Sequence, residues 1–171
     1  MKFALGIATA IMSSSLVAPA LAQVPVPRAV PYALALEAAQ TALATCLTQG
    51  WPVTAVVLDA YGEEQVLLRD DRPYVANDTD QARRKAYTAL GGSPSAEMMV
   101  LMDTNPNAYA RAAYVNPRIT PQAGGLPIKM GDVTIGALGV SGAGTSNGIR
   151  GGLNDQACAA AGLAKIEGRL R

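Results

Sequence analysis

Histidine is absent from all 171 residues. Without it no Ser–His–Asp or Cys–His arrangement can be assembled in one chain. Zinc centres that use imidazole are excluded, and two cysteines cannot build a four-thiolate site. Histidine proton transfer near neutral pH and proximal-histidine haem ligation are excluded as well. Charge is also sparse. Charged residues make up 16% of the chain, against the ~25% of an average soluble protein. The 14 basic and 13 acidic residues nearly cancel, which leaves no electrostatic footprint for nucleic acid. Aromatics amount to 5%, so a packed interior must rely on small residues. No Walker A run occurs, and no Cys-x-x-Cys-His motif that would attach haem covalently.

The first residues have a definite pattern. Lys2 precedes an apolar stretch from Phe3 to Met12, Ser13–Ser15 interrupts it, and Ala20-Leu21-Ala22 fits an A-x-A cleavage site. The apolar run is too short to span a bilayer. Residues 1–22 are therefore expected to be a secretory signal. Cleavage would leave 149 residues of zero formal charge with no membrane span, exported to a bacterial periplasm or secreted. Residues 23–32 form an extended proline-rich lead-in. Residues 33–171 read as a single domain. The sequon at Asn77 matters only in a eukaryotic secretory pathway. Export places Cys46 and Cys158 in an oxidising compartment, where pairing is expected if geometry permits. Two buried thiols acting as small apolar residues are the alternative.

Periodicity divides the domain. Pro31 suits the start of a helix over 32–49, with Leu36, Ala39, Leu43, Cys46 and Leu47 on its apolar face. Gly50 and Pro52 stop it. Val53–Asp59 and Gln65–Arg69 read as a hairpin around Gly62. After a polar loop, Asp78–Gln81 resembles a capping box for a helix to Leu90. Ser93-Pro94 opens a helix to about Met102, and Asn105-Pro106 a short one to Tyr114. Ile119–Gln122 is extended but interrupted by proline. Leu126–Met130 and Val133–Val140 flank Gly131-Asp132 as a second hairpin. A glycine-rich loop over 141–152 leads to a last alanine-rich helix capped by Asn154 or Asp155. The order α-β-β-α-α-β-β-β-α gives an α+β domain with an antiparallel sheet.

Several segments form an ordered set: Val56–Asp59 with Gly62, Arg69-Asp70, Lys85-Ala86-Tyr87-Thr88-Ala89, Gly124-Gly125-Leu126-Pro127-Ile128, Ile135–Gly142, and Asp155 with Ala159 and Ala161-Gly162. Together they resemble the GlcG/HbpS-type haem-binding family, a domain also found at the C-terminus of PduO-type proteins. The resemblance runs from Ala33 to Leu163. It implies an antiparallel sheet of about five strands with helices packed on it, a homo-oligomer, and non-covalent binding of haem or another tetrapyrrole.

With histidine absent, methionine, cysteine, tyrosine and lysine remain as haem ligands. Met98 and Met102 share a helix face, with Met99 beside them and Tyr74, Tyr87, Tyr109 and Tyr114 in the same region of sequence. Such methionines also serve as core or interface filler. Lys85 and Arg69 could each grip a carboxylate, or be helix and strand charges paired locally. Thr88, Gly124, Gly125, Pro127, Ser141 and Gly142 complete the candidate ligand site, since backbone amides of glycine loops can cradle an anion. The stretch from Gly142 through Asn147 and Gly148 misses the dinucleotide fingerprint and lacks its βαβ setting. Asp59 is expected to fix a turn. No carboxylate pair supports acid–base catalysis, and no catalytic residue stands out. Three readings follow: an exported haem-binding protein for storage, capture or sensing; an enzyme or binder of a small organic acid held by Lys85 and Arg69; and a structural oligomer without ligand.

Overall fold

The computed structural model describes residues 29–72, 79–144 and 152–170. The expected secretory signal over 1–22, the expected lead-in before Ala29, Tyr74, the sequon residues Asn77 and Asp78, and Asn147 and Gly148 of the glycine-rich loop lie outside the described residues.

Helix α1 spans Tyr32–Thr48. Its first turn closes on Pro31, whose carbonyl accepts from Ala35 N–H at 3.0 Å. Gly50 (φ +75°) follows its end in the left-handed region open to glycine. Strands β1 (Thr54–Asp59) and β2 (Glu64–Arg69) form the first hairpin. Its turn is held by Asp59, whose Oδ1 accepts from Tyr61 N–H at 2.8 Å and Glu63 N–H at 3.0 Å. Helices α2 (Thr79–Ala89), α3 (Ala96–Thr104) and α4 (Pro106–Val115) follow. Strands β3 (Gly125–Met130) and β4 (Val133–Ser141) form the second hairpin. Helix α5 (Leu153–Ile166) ends in a 3₁₀ turn, Glu167–Arg169.

The sheet order is β2-β1-β4-β3, and every pairing is antiparallel. Strand β1 is central and buried along almost its whole length. Successive side chains therefore enter different layers. Ala55 and Val57 join Leu138, Val140 and Ile128 under α1 and α5. Val56 and Leu58 join Ala137 and the alanines of α2 on the other face. The architecture is α+β, as expected from the element order.

Four strands are present among the described residues, against about five expected. Ile119–Gln122 does not join the sheet. Pro121 has no N–H to donate to a ladder, and side chains from elsewhere take the neighbouring backbone groups. Thr120 N–H donates to Thr88 Oγ1 at 2.9 Å, and Arg84 Nη2 donates to the Ile119 carbonyl at 2.9 Å.

The buried face of α1 also differs from its apolar pattern. Ala35, Ala38, Ala39, Ala42 and Cys46 face inward, while Leu36 and Leu43 sit at the margin. The reason is close approach. A Cβ at Gly162 would lie 2.4 Å from the Ala38 carbonyl oxygen and 3.0 Å from Ala42 Cβ. Leucines cannot occupy that seam. Cys46 and Cys158 are disulfide-bonded across it, with Cα atoms 5.6 Å apart, within the range a bridge requires. No described helix is long and apolar enough to cross a membrane.

Candidate functional site

Helix α2 carries most of the candidate residues, and its seating explains their fates. It lies directly on β4, because a Cβ at Gly139 would come within 2.2 Å of the Ala82 carbonyl oxygen. At that depth Lys85 cannot reach solvent. Its Nζ donates to Asp155 Oδ2 at 2.7 Å, to the Val140 carbonyl at 3.1 Å and to Ser141 Oγ at 3.5 Å. Both side chains of this ion pair are at most 5% exposed. Burial pushes the Lys85 ammonium below the ordinary lysine range, while Asp155 pulls it back.

Asp155 is not the cap of α5, and neither is Asn154, because the helix starts earlier, at Leu153 after an N-cap at Gly152, which places Asp155 inside the first turn. Its second oxygen accepts from Ala143 N–H at 2.8 Å, so it ties the strand-to-helix loop to α2. Glycines make room for the pair. A Cβ at Gly124 (φ +121°) would sit 2.6 Å from the Val140 carbonyl oxygen and 3.0 Å from Lys85 Cδ. A Cβ at Gly125 would sit 1.9 Å from the Lys85 carbonyl oxygen. Lys85, Gly124, Gly125 and Ser141 thus converge on one buried polar node, and Gly142 follows Ser141 in the left-handed region (φ +131°).

Ser95 belongs to this node although nothing in its sequence neighbourhood marks it. It is fully buried. Its hydroxyl donates to the Gln122 carbonyl at 2.7 Å and accepts from Gly125 N–H at 2.8 Å. With Ser95 so engaged, α3 starts at Ala96, later than Ser93-Pro94 suggested. The only available signal was the pair Gly124-Gly125, which implied close approach without naming the partner.

Arg69 and Pro127 lie apart from the node. Arg69 ends β2 at the sheet edge and is exposed. Pro127 pairs with Ala137 on the opposite edge strand, where a missing N–H is tolerated.

Two open clefts flank α2. The first, of about 320 Å³, is lined by Thr88, Ser93, Pro94, Glu97, Met98 and Leu101 with Gly91. Thr88 is fixed there, donating to the Arg84 carbonyl at 2.7 Å and accepting from Thr120. Met98 faces this cleft. Met102, one turn on, is half-buried and outside its lining. Beside the cleft, α3 and α4 pack on each other and bury no side chain. Tyr109 is half-buried there and Tyr114 is 91% exposed. The second cleft, of about 250 Å³, lies between α2 and the β1–β2 turn, with Arg83, Arg84, Tyr87 and Arg118 in its wall.

The described donor set is narrow. Both cysteines are in the disulfide, and no group of three Asp, Glu, Cys or His side chains gathers among the described residues. Methionine and tyrosine remain as the candidate ligands for a haem iron.

No curated protein sequence matches the chain. Among solved structures, a double mutant of HbpS from Streptomyces reticuli is 25% identical, with 90% of this chain and 98% of that chain covered at a TM-score of 0.68. A PduOC–haem complex is 21% identical, with coverage of 81% and 96% and a TM-score of 0.70. The ORFY protein of Klebsiella pneumoniae is 22% identical, with coverage of 89% and 99% and a TM-score of 0.71. The family described as haem-degrading protein HbpS-like matches residues 30–164, a span that takes in the sheet, helices α1 to α4, most of α5 and the buried Lys85–Asp155 node. On that match the chain is a member of the HbpS-like family.

Proposed function

We propose that this protein binds haem or a related tetrapyrrole without covalent attachment, outside the cytoplasm, for storage, capture or sensing. The observation that carries the reading is the cleft between Thr88 and Met98 together with the α3–α4 pair, which buries none of its side chains. A tetrapyrrole is flat and apolar. Pro94, Leu101 and the exposed apolar side chains of α3 and α4 offer it apolar contact, and Met98 offers a thioether beside that wall. Bound there, the group would supply a redox-active iron, and the chain would supply an apolar bed from Pro94 and Leu101 and a thioether donor from Met98.

The cleft holds only part of such a ligand. Val100, Tyr114 and Val115, exposed by 56%, 91% and 82%, are further apolar side chains at the surface of α3 and α4. A second copy of the chain closing on these residues would cover the rest. The disulfide supports a location outside reducing cytosol, in line with the leader.

Titration of hemin into the purified protein lacking residues 1–22 tests the reading. A saturable Soret shift at micromolar hemin is expected. An unchanged Soret band at that concentration overturns it.

A further inference from the structure

A tetrapyrrole carries carboxylates as well as a flat apolar ring, and the cleft between Thr88 and Met98 meets the two very differently. Among the described residues its lining contains no lysine or arginine, and its charged member is the acid Glu97. Glu97 is exposed, and no described cation forms an ion pair with it. The cations that precede Thr88 on α2 are directed elsewhere. Arg84 Nη2 donates to the Ile119 carbonyl at 2.9 Å, and its side chain lines the other cleft. Lys85 Nζ is held by Asp155 Oδ2 at 2.7 Å in the interior.

The neutral donors offer a carboxylate little. Thr88 Oγ1 donates to the Arg84 carbonyl at 2.7 Å. In the first turn of α3, Glu97 N–H donates to the Pro94 carbonyl at 3.0 Å and Met98 N–H to the Ser95 carbonyl at 3.1 Å. The positive end of that helix already has an acid of its own in Glu97. Ser93 supplies a hydroxyl, which can hydrogen-bond but cannot balance a charge. A carboxylate moved from water to this wall loses hydration, gains no counter-charge and meets Glu97 as a like charge. A side of the ring bearing only methyl and vinyl groups loses nothing there and covers Pro94, Met98 and Leu101.

We infer that this cleft selects among tetrapyrroles by where their carboxylates lie, with Glu97 as the specificity-determining residue. The inference rests on the tetrapyrrole reading of the same cleft and narrows the ligand class. The class that fits has its carboxylates gathered along one side, as the two propionates of hemin are. The opposite side enters the cleft, and the propionates point out of it. An iron coproporphyrin carries a propionate on every pyrrole, so it has no carboxylate-free pyrrole to insert.

The test is titration of hemin, iron mesoporphyrin and iron coproporphyrin into the purified oxidised protein, followed at the Soret band. Iron mesoporphyrin keeps the propionates of hemin and carries ethyl groups in place of its vinyls, so it should bind within about threefold of hemin. Iron coproporphyrin should bind at least about tenfold more weakly than hemin. Glu97→Lys, at an exposed position, puts a cation in the lining and should narrow that gap at least about threefold. Glu97→Gln, which removes only the like charge, should narrow it by less. Equal binding of hemin and iron coproporphyrin overturns the inference and leaves the tetrapyrrole reading standing. A gap that neither Glu97 variant moves also overturns it, because the cleft would then be rejecting bulk and not charge. Absence of any Soret change with hemin is a different failure, that of the tetrapyrrole reading itself, and the inference falls with it.

Discussion

Helices α1 and α5 meet through Ala38, Ala42 and Gly162, so closely that a single added Cβ would strike backbone. A disulfide closes the same seam. Helices α3 and α4 also pack as a pair, yet neither buries a side chain. Methionine, valine, leucine and tyrosine sit there where α1 and α5 carry alanine, glycine and cystine. In the first pair, small residues let the backbones approach and stability accumulates. In the second, large apolar residues remain half-exposed and provide surface. Binding elements are commonly drawn from such weakly buried parts of a fold. The contrast gives the α1–α5 side to stability and leaves the α3–α4 side as the surface on which the proposed ligand would rest.

The sharpest way to break that contrast is to remove the bridge. The disulfide closes a loop of 112 residues in sequence separation. Chain-entropy reasoning gives about 4–5 kcal/mol for such a loop. Replacing Cys46 and Cys158 together by alanine should lower urea-unfolding stability by that order. A loss under about 1 kcal/mol would show that the alanine–glycine packing alone holds α1 to α5.

Next in size is the buried ion pair. Asp155→Ala leaves the Lys85 ammonium without a counter-charge in the interior, a change that costs about 3–5 kcal/mol. An apolar double replacement, Lys85→Met with Asp155→Leu, should recover at least half of that loss, because no charge then remains buried. If the double variant is as unstable as Asp155→Ala, the node acts by tying Ala143 and Val140 in place, and its charges are secondary. Equilibrium unfolding of the parent and both variants separates the outcomes.

A smaller effect follows from pH. Burial lowers the Lys85 pKa in the folded state below its ordinary 10.5. Between the folded value and 10.5 the unfolded chain binds the extra proton, so this group's contribution to stability rises with pH across that window. It is fully present above 10.5 and is lost as pH falls through the folded pKa. Parent stability measured relative to Lys85→Met should therefore increase as pH climbs toward 10.5. A flat or falling difference would place the folded pKa at or above the ordinary value.

Much of the stabilising side was legible in the sequence, and the recognition side less so. β-branched content and turn residues located both hairpins, because strand propensity and glycine turns are local signals. Asp59 was readable as a turn anchor for the same reason. The partner of Lys85 was not, since Asp155 lies 70 residues away and only the folded sheet brings them together. Ser95 was missed because its bonds go to Gln122 and Gly125 across the fold. The leucines of α1 misled because hydrophobicity marks a buried face but does not measure how close the neighbouring backbone comes. Thr88 and Met98 were both nameable as candidates, but that they share one cleft is a property of how α2 and α3 turn at Gly91-Gly92.

The smallest stability change, and the most direct probe of the contrast, is Met98→Ala. Met98 is half-buried on a helix that buries nothing, so its loss should cost no more than about 0.5–1 kcal/mol. The same deletion on the α1–α5 side, in a fully packed setting, would cost about 2–5 kcal/mol. Hemin affinity should respond in the opposite proportion. Removing the thioether and part of the apolar wall should weaken binding at least about tenfold, roughly the effect of one lost ligand contact worth 1.4 kcal/mol, and should alter the Soret position of whatever complex remains. Met102→Ala, one turn further along but outside the cleft lining, should match it in stability and leave the Soret band in place. If the two variants behave alike toward hemin, the α3–α4 pair contributes apolar surface only, and the axial donor must be sought among the tyrosines of α4.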